Sequence, residues 1–239
     1  MKILAVIPAR GGSKGILHKN IRAFNGKPLL AFAVDQAKSS RHINRVIVST
    51  DDQVIADVAL RHGAEVPFLR PKELAGDQSQ VADTLVHLLN SLKISEGYEP
   101  DYLVMLQTTS PLRTVADIDG SLDKLFETNA DAVVSLCETE QLLYTMDNKR
   151  RLCLVSDKKF LKSTNRQALE QTYMLNGAMV YGIKTDIFLR DKSFFKCNLV
   201  GFVVDQWRSV DLDEPADFLV AELLHKNINY IHDGIKNFK

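Results

Sequence analysis

Residues 1–20 read MKILAVIPARGGSKGILHKN and contain the strand and the loop that decide the fold. Residues 3–7 are apolar and rich in β-branched side chains, which is typical of a strand buried in a parallel sheet. The strand ends at Pro8, and the loop after it combines three glycines with three basic residues. Glycines let the backbone turn its N–H groups toward one point, and the basic side chains add positive charge there. We therefore predict a loop that binds nucleotide phosphates; the alternative is a solvated surface loop.

This loop differs from two familiar phosphate-binding motifs. A Walker A motif ends in Gly-Lys-Ser or Gly-Lys-Thr, whereas the order here is Ser13-Lys14-Gly15. The dinucleotide fingerprint needs spaced glycines, and Gly11 and Gly12 are adjacent. The sequence thus predicts a nucleotide loop of another kind. Its candidate contacts are Arg10, Gly11, Gly12, Ser13, Lys14, Lys19 and Asn20.

The composition is that of an ordinary globular protein. The chain has 239 residues, 45% of them hydrophobic and 25% charged, which suits a single domain. Lys plus Arg and Asp plus Glu are equal at 30 each, so nothing favours a general nucleic-acid-binding protein. We find no apolar run long enough for a membrane span or a signal peptide, and no paired cysteine motif. We therefore expect a cytoplasmic protein with no membrane partner.

Strands and helices alternate along most of the chain. Helical spacing follows the first loop, and it is followed by a strand at residues 45–49 and a capped helix. Such alternation predicts an α/β fold with an open, mostly parallel sheet and flanking helices. Residues 138–172 break the alternation, because they are polar and basic. They are interpreted as an arm that leaves the sheet, or as a solvated insertion. The other predicted strands are residues 66–69, 102–106, 131–137, 178–183 and 199–204, and one predicted helix, residues 79–94, carries an apolar stripe that includes Val81.

Two acidic residues near the C-terminal end are candidates for a metal site. Residues i and i+2 of an extended chain point the same way, about 6.5 Å apart, so Asp211 and Asp213 can face one cation. Mg²⁺ favours a few carboxylates together with phosphate oxygens, which suits this pair. As an alternative, Asp213 could cap the helix that begins near Glu214.

Several motifs together resemble the acylneuraminate cytidylyltransferases, also called CMP-sialic acid synthetases. The resemblance covers about residues 2–225. It rests on IPARGGSKG at residues 7–15, LQTTSPLR at residues 106–113, RQ at residues 166–167, NGA at residues 176–178 and DLD at residues 211–213. In the second motif, Thr108 stands where the family has a proline. The resemblance implies a fold like the nucleotide-diphospho-sugar transferases, Mg²⁺ as cofactor, and a homodimer formed by the arm at residues 138–172.

The same resemblance implies a reaction and a set of roles. CTP and a nine-carbon 2-keto sugar acid, such as sialic or legionaminic acid, would give the CMP-sugar and pyrophosphate. Arg10, Lys14, Lys19 and Asp211 would be catalytic, and an arginine fork at Arg166 would bind the sugar carboxylate. The implied nucleotide contacts beyond the loop are Arg70, Asp77 and Gln107. The implied sugar contacts are Gln107, Ser110, Arg166, Tyr173, Asn176, Phe194 and Phe195.

Each of these roles has a structural alternative. Arg70 and Asp77 could belong to a well-capped loop, Ser110 could start a helix, Arg113 could fix the loop around it, and the two phenylalanines could be core. Three other functions also remain open. They are CMP-activation of pseudaminic or an eight-carbon acid, a metal-dependent glycosyltransferase that uses the two aspartates, and a catalytically silent nucleotide-binding module.

Overall fold

The computed structural model of the protein describes residues 1–139, 143–155 and 171–238. Its strands are β1 (Ile3–Pro8), β2 (Ala23–Phe24), β3 (Lys27–Pro28), β4 (Arg45–Ser49), β5 (Tyr102–Met105), β6 (Ala132–Thr139), β7 (Tyr144–Met146), β8 (Leu152–Leu154), β9 (Thr172–Leu175), β10 (Tyr181–Lys184) and β11 (Leu199–Val203). Its helices are α1 (Leu29–Ser39), α2 (Gln53–Arg61), α3 (Val81–Glu96), α4 (Val115–Glu127), α5 (Thr185–Asp191), α6 (Pro215–Lys226) and α7 (Ile228–Asn237). None of the helices among these residues is long and apolar enough to cross a membrane.

The central sheet has the order β11-β6-β10-β5-β1-β4, and β9 pairs with β6. Strand β1 runs parallel to both neighbours, so that Val6 is paired with Ile47 on β4 and with Met105 on β5. Strand β11 is parallel to β6, whereas β10 is antiparallel to β5 and β6, and β9 is antiparallel to β6. The prediction of an open, mostly parallel sheet is confirmed.

Helices cover both faces of this sheet, because successive residues of a strand point to opposite sides. Ile3, Ala5 and Ile7 belong to one buried cluster with α1, α2 and α4. Leu4 and Val6 belong to a second cluster with α3 and α5. A strand buried on both faces reads as an uninterrupted apolar run, and this explains why β1 was visible in the sequence.

A third cluster joins the beginning of the chain to its end. Phe24 of β2 meets Phe218 of α6 edge-on, with ring centroids 5.5 Å apart. Leu212 is fully buried in the same cluster. This packing anchors the acidic segment at residues 211–213 beside the N-terminal loop.

Some predicted elements were wrong in extent. The strand expected at residues 66–69 is a single bridge between Glu65 and Ile47, and Pro67 has no N–H with which to extend it. The strand expected at residues 178–183 begins only at Tyr181, because the preceding turn has Ala178 in a left-handed conformation, at φ +52°.

The described part of the segment interpreted as an arm contains short strands. Strand β6 extends to Thr139 and pairs with β9 as the chain returns, and β7 and β8 form a separate hairpin. Arg166 and its neighbour Gln167 lie outside the described residues.

Candidate active site

A cavity of about 380 Å³ opens where β1 and β5 end. Pro8 and Gln107 lie on its wall beside these two strand ends, and Arg70 and Asp213 contribute from other parts of the chain. Ligands of open α/β sheets bind beyond the carboxyl ends of parallel strands, so this is the position expected for a nucleotide.

Most of the predicted phosphate loop lines this cavity. The lining residues of the loop are Arg10, Ser13, Lys14, Gly15, Lys19 and Asn20. Gly11 and Gly12 are not among them. The Gly11 N–H donates to Asp51 Oδ1 at 3.1 Å, and a Cβ at Gly11 would lie 2.8 Å from Asp52 Oδ2. Gly11 therefore allows the loop to pack closely against the residues that follow β4.

Two basic residues of the loop are paired with one acid on the opposite wall. Arg10 Nη1 lies 3.0 Å from Asp77 Oδ1, and Lys14 Nζ contacts Asp77 Oδ2. Arg10 also donates to the carbonyl of Ala75 at 3.4 Å. The hydrogen bond from Lys14, together with Arg10, holds the pKa of Asp77 below its usual range. Asp77 therefore forms ion pairs with Arg10 and Lys14, two of the basic residues that were predicted to bind phosphate.

Asn20 connects the phosphate loop to the loop after β5. Its Nδ2 donates to the Arg10 carbonyl at 2.9 Å, and its Oδ1 accepts from Thr108 Oγ1 at 2.6 Å. Both side chains are almost fully buried. Thr108, the residue that replaces a family proline, thus has a structural partner that the sequence did not indicate.

Lys19 joins the cationic loop to the acidic segment. Its Nζ donates to the carbonyl of Leu212 at 2.6 Å, between the two aspartates. Burial lowers the pKa of Lys19, and Asp213 and Asp211 act in the opposite direction. Gly15 also packs on this segment, because a Cβ there would overlap the carbonyl oxygen of Asp213.

The two aspartates differ in their surroundings. Asp211 Oδ1 is buried and has no hydrogen-bond partner among the described residues. Burial raises the pKa of Asp211, and the neighbouring Thr109 side chain opposes this. Asp213 is exposed on the cavity wall. The cap of α6 is Glu214, and its N–H and that of Asp213 donate to Asp217 Oδ2, so the capping alternative for Asp213 was wrong.

This arrangement fits a hard divalent cation. A buried carboxylate oxygen without a partner calls for a ligand, and oxygen is the donor that Mg²⁺ prefers. Within the described parts of the chain, no group of three His, Cys, Asp or Glu side chains could hold a metal. A cation at Asp211 and Asp213 would therefore take its further oxygens from water or from a substrate, as Mg²⁺ commonly does.

The comparisons with known proteins agree with this site. Residues 4–213 match the family described as Cytidylyltransferase. The chain belongs to the cytidylyltransferase family. It is 33% identical to the CMP-N,N'-diacetyllegionaminic acid synthase of Legionella pneumophila, covering 94% of this chain and 96% of that protein. It is 31% identical to the pseudaminic acid cytidylyltransferase of Campylobacter jejuni, covering 95% and 97%.

Among solved structures, CMP:2-keto-3-deoxy-manno-octonic acid synthetase in complex with CTP has a similar fold. Its TM-score is 0.71 at 17% sequence identity, and the match covers 95% of this chain and 99% of that one. This likeness supports the fold alone.

In this cytidylyltransferase, Arg70 is tied to the protein itself. Its guanidinium donates to the side chain and carbonyl of Ser49 and, at 3.5 Å, to the carbonyl of Leu74. Burial lowers its pKa. It remains part of the cavity wall, as does Gln107, whose Oε1 accepts from Thr109 Oγ1 at 3.3 Å.

Arg113 holds the loop after β5 in place. It is 2% exposed, and its Nη1 donates to the carbonyls of Gln107 and Met179 at 2.9 and 2.8 Å. Its Nε donates to Gln36 Oε1 at 3.1 Å. Complete burial lowers the pKa of Arg113 to about 10. The structure thus agrees with the alternative in which Arg113 fixes the loop around it.

Among the described residues, the predicted sugar contacts other than Gln107 do not line the cavity. Ser110 is fully buried and donates to the Gly177 carbonyl at 3.5 Å, so it neither lines the cavity nor starts α4, which Thr114 caps. Phe194 is 4% exposed and packs on Phe188 in the core.

Three more of these candidates have different surroundings. Tyr173 and Phe195 are about half exposed, and Phe195 lies edge-on to the ring of Tyr181. Asn176 is 2% exposed and bonded within the protein.

Two residues of this site were missed by sequence reasoning. Thr109 accepts the Leu212 N–H through its carbonyl at 3.0 Å and so fixes the acidic segment next to Asp211. Gly177 lies directly against the carboxylate of Asp211. The available signals were the polar residues that follow β5 and the NGA motif, but neither indicates a contact with residue 211.

Proposed function

We propose that this protein transfers CMP from CTP to a nine-carbon 2-keto sugar acid, such as sialic or legionaminic acid, and releases pyrophosphate. The observation that carries the proposal is the meeting of opposite charges in one cavity at the strand ends. Lys19 of the cationic loop donates to the carbonyl between Asp211 and Asp213, and Arg10 and Lys14 lie on the same cavity. A triphosphate and a divalent cation need this combination of charges.

In the proposed reaction the anomeric hydroxyl of the sugar attacks the α-phosphorus of CTP in line. A bond forms between that oxygen and phosphorus, the bond to the bridging oxygen of pyrophosphate breaks, and the hydroxyl proton is released. The protein then supplies mainly positioning and neutralisation of charge. Arg10, Lys14 and Lys19 would bind phosphate oxygens, and Ser13 and the amides of the loop would assist them.

Mg²⁺ would be held by Asp211 and Asp213. Bound there, it would neutralise negative charge on the phosphate oxygens. The partnerless oxygen of Asp211 and the exposed carboxylate of Asp213 support this assignment.

Triphosphate binding would require the ion pairs of Asp77 to open. Arg10 and Lys14 both contact Asp77 across the cavity, so an incoming phosphate competes with this carboxylate. Asp77 would then influence nucleotide binding through these cations. Arg70, which is bonded to Ser49, would shape the cavity wall, and Gln107 would face the substrates.

Arg166 would bind the sugar carboxylate, and the arm around it would form a homodimer in the cytoplasm. The described part of the arm supports a protein interface, because it exposes several large apolar side chains. They are Tyr144, Met146, Leu152 and Val155, and Tyr173 and Met174 follow directly after the arm. Sedimentation equilibrium tests this, and a monomer mass at micromolar concentration would contradict it.

Pseudaminic acid is the second candidate substrate. The Campylobacter and Legionella relatives differ by two percentage points in identity to this chain, so overall similarity does not separate their substrates. The choice has to be made by direct assay.

The decisive assay measures pyrophosphate release from each of the four NTPs with Mg²⁺, across a panel of ulosonic acids. We expect release only with CTP, and with a nine-carbon acid. No release with CTP and any acid would contradict the proposal. CTP binding without turnover would then indicate a silent module. Sugar transfer from a nucleotide-sugar donor, without pyrophosphate, would indicate a glycosyltransferase.

A further inference from the structure

The turn between β9 and β10 touches the acidic segment at Gly177. This residue has φ +69°, in the left-handed region that favours glycine. A Cβ at Gly177 would lie 2.5 Å from Asp211 Oδ2 and 2.8 Å from Asp211 Oδ1. Real side chains do not approach so closely. The carboxylate of Asp211 thus occupies the space that any side chain at residue 177 would fill.

The turn is fixed in place by the residue before it. Asn176 Oδ1 accepts from Ser135 Oγ at 2.8 Å, and Asn176 Nδ2 donates to Ser209 Oγ at 3.2 Å. Ser135 belongs to β6, and Ser209 precedes Asp211 by two residues. The turn therefore cannot move away from Asp211 without breaking buried hydrogen bonds.

Asp211 is held by contacts that leave one of its oxygens free. The Thr109 carbonyl accepts the N–H of the next residue, Leu212, at 3.0 Å, and the backbone of Gly177 packs against the carboxylate. Oδ1 nevertheless remains buried without a hydrogen-bond partner in the described residues. A buried acceptor is disfavoured unless something binds it, so this arrangement suits a carboxylate that is held ready for a cation.

We propose that Gly177 is a positioning residue for Asp211, and that the absence of a side chain there keeps the carboxylate where a divalent cation binds. The inference rests on the metal site of the proposed function. It predicts that a single methyl group at residue 177 displaces the carboxylate and weakens metal binding, although residue 177 itself donates no ligand atom.

The chain offers a matched control for backbone strain. Gly97, at the C-terminal end of α3, has φ +62°, and a Cβ there would meet nothing within 4 Å. Gly97→Ala and Gly177→Ala therefore impose a similar left-handed alanine, and only the second of them overlaps Asp211.

The first test measures binding of Mn²⁺ alone to the ligand-free protein, from the EPR signal of the free ion. We expect Gly177→Ala to weaken binding by about tenfold or more, as loss of an outer contact at a metal site commonly does. Gly97→Ala should bind like the unaltered protein, and Asp211→Asn should lose binding. Unchanged affinity in Gly177→Ala, with binding lost in Asp211→Asn, would overturn the positioning role.

The second test uses thermal unfolding and does not depend on a metal. Gly97→Ala should lower Tm by about 2–4 °C, and Gly177→Ala by clearly more. Asp211→Ala removes the overlapping atoms, so in that background Gly177→Ala should cost no more than Gly97→Ala. If Gly177→Ala lowers Tm equally in the unaltered protein and in Asp211→Ala, the contact with Asp211 is overturned.

The two tests also separate this inference from the function on which it rests. If the unaltered protein binds no Mn²⁺, the metal site fails and the positioning role fails with it. Failure of the cytidylyltransferase reaction would instead appear as absent pyrophosphate release.

Discussion

The two charged walls of the cavity are built in different ways. On the cationic wall, the side chain of Lys14 is 78% exposed and pairs across the cavity with Asp77, whose side chain is 41% exposed. On the acidic wall, Leu212 is fully buried, and its backbone is bonded to Thr109 and to Lys19. One wall is therefore held by exposed ion pairs, and the other by buried packing and backbone hydrogen bonds.

The cationic wall can therefore rearrange when a ligand binds, whereas the acidic wall is rigid. Exposed ion pairs contribute little to stability and exchange readily with other anions. Buried polar contacts are costly to break, because the groups left behind lose their partners. Metal binding and phosphate binding should therefore respond differently to substitution. Lys19 links the two walls, since it belongs to the cationic loop and bonds to the acidic segment.

The largest effect on activity should come from a substitution in the acidic wall. Asp211→Asn keeps the shape of the side chain but removes the charge beside the partnerless oxygen. We expect turnover of CTP to fall by about a hundredfold to a thousandfold, the range for loss of a preorganised electrostatic contact. Far-UV circular dichroism should be unchanged. Asp205→Asn, at an exposed position six residues earlier, is the control, and near-normal rates for Asp211→Asn would remove this residue from the site.

The residue that connects the walls should show the next largest effect. Lys19→Met removes a partly buried charged donor from the Leu212 carbonyl, and we expect kcat/KM for CTP to fall by about tenfold to a hundredfold. Lys14→Met removes an amine that is largely solvated, so its loss should be smaller. Equal losses in the two variants would show that burial of Lys19 and its bond to the acidic segment carry no weight.

The sequence predicted the strands and the position of the cavity better than the contacts inside it. Strand β1 was visible because a doubly buried strand is continuously apolar, and the cavity follows from the parallel strand ends. The pairing of Asp77 with Arg10 and Lys14 was not visible. It depends on side chains more than sixty residues apart, which no local pattern reports.

Two features depend on the position of an element in the fold, which a local pattern does not report. Val81 fits the apolar stripe of α3, but it is the first residue of that helix, so it lies 38% exposed at the cavity rather than in the core. The direction of β10 was also not predictable, because a short apolar run is the same for a parallel and an antiparallel strand. The contact of Gly177 with Asp211 depends on that direction, so it was found only in the structure.

The smallest effect should come from the cationic wall, and there we expect the substitution to strengthen binding instead of weakening it. Asp77→Asn removes the negative charge that occupies Arg10 and Lys14, so inorganic tripolyphosphate should bind tighter, by up to about fivefold. The pKa of Asp77 is held below its usual range, so its charge persists as the pH falls to weakly acidic values and is lost only below that range. The difference between the two proteins should therefore stay constant over neutral and weakly acidic pH. Calorimetric titration measures it, with Asp83→Asn on the exposed first turn of α3 as the control. If Asp77→Asn instead weakens CTP and leaves tripolyphosphate unchanged, Asp77 contacts the nucleoside, and the cationic wall does not need to open.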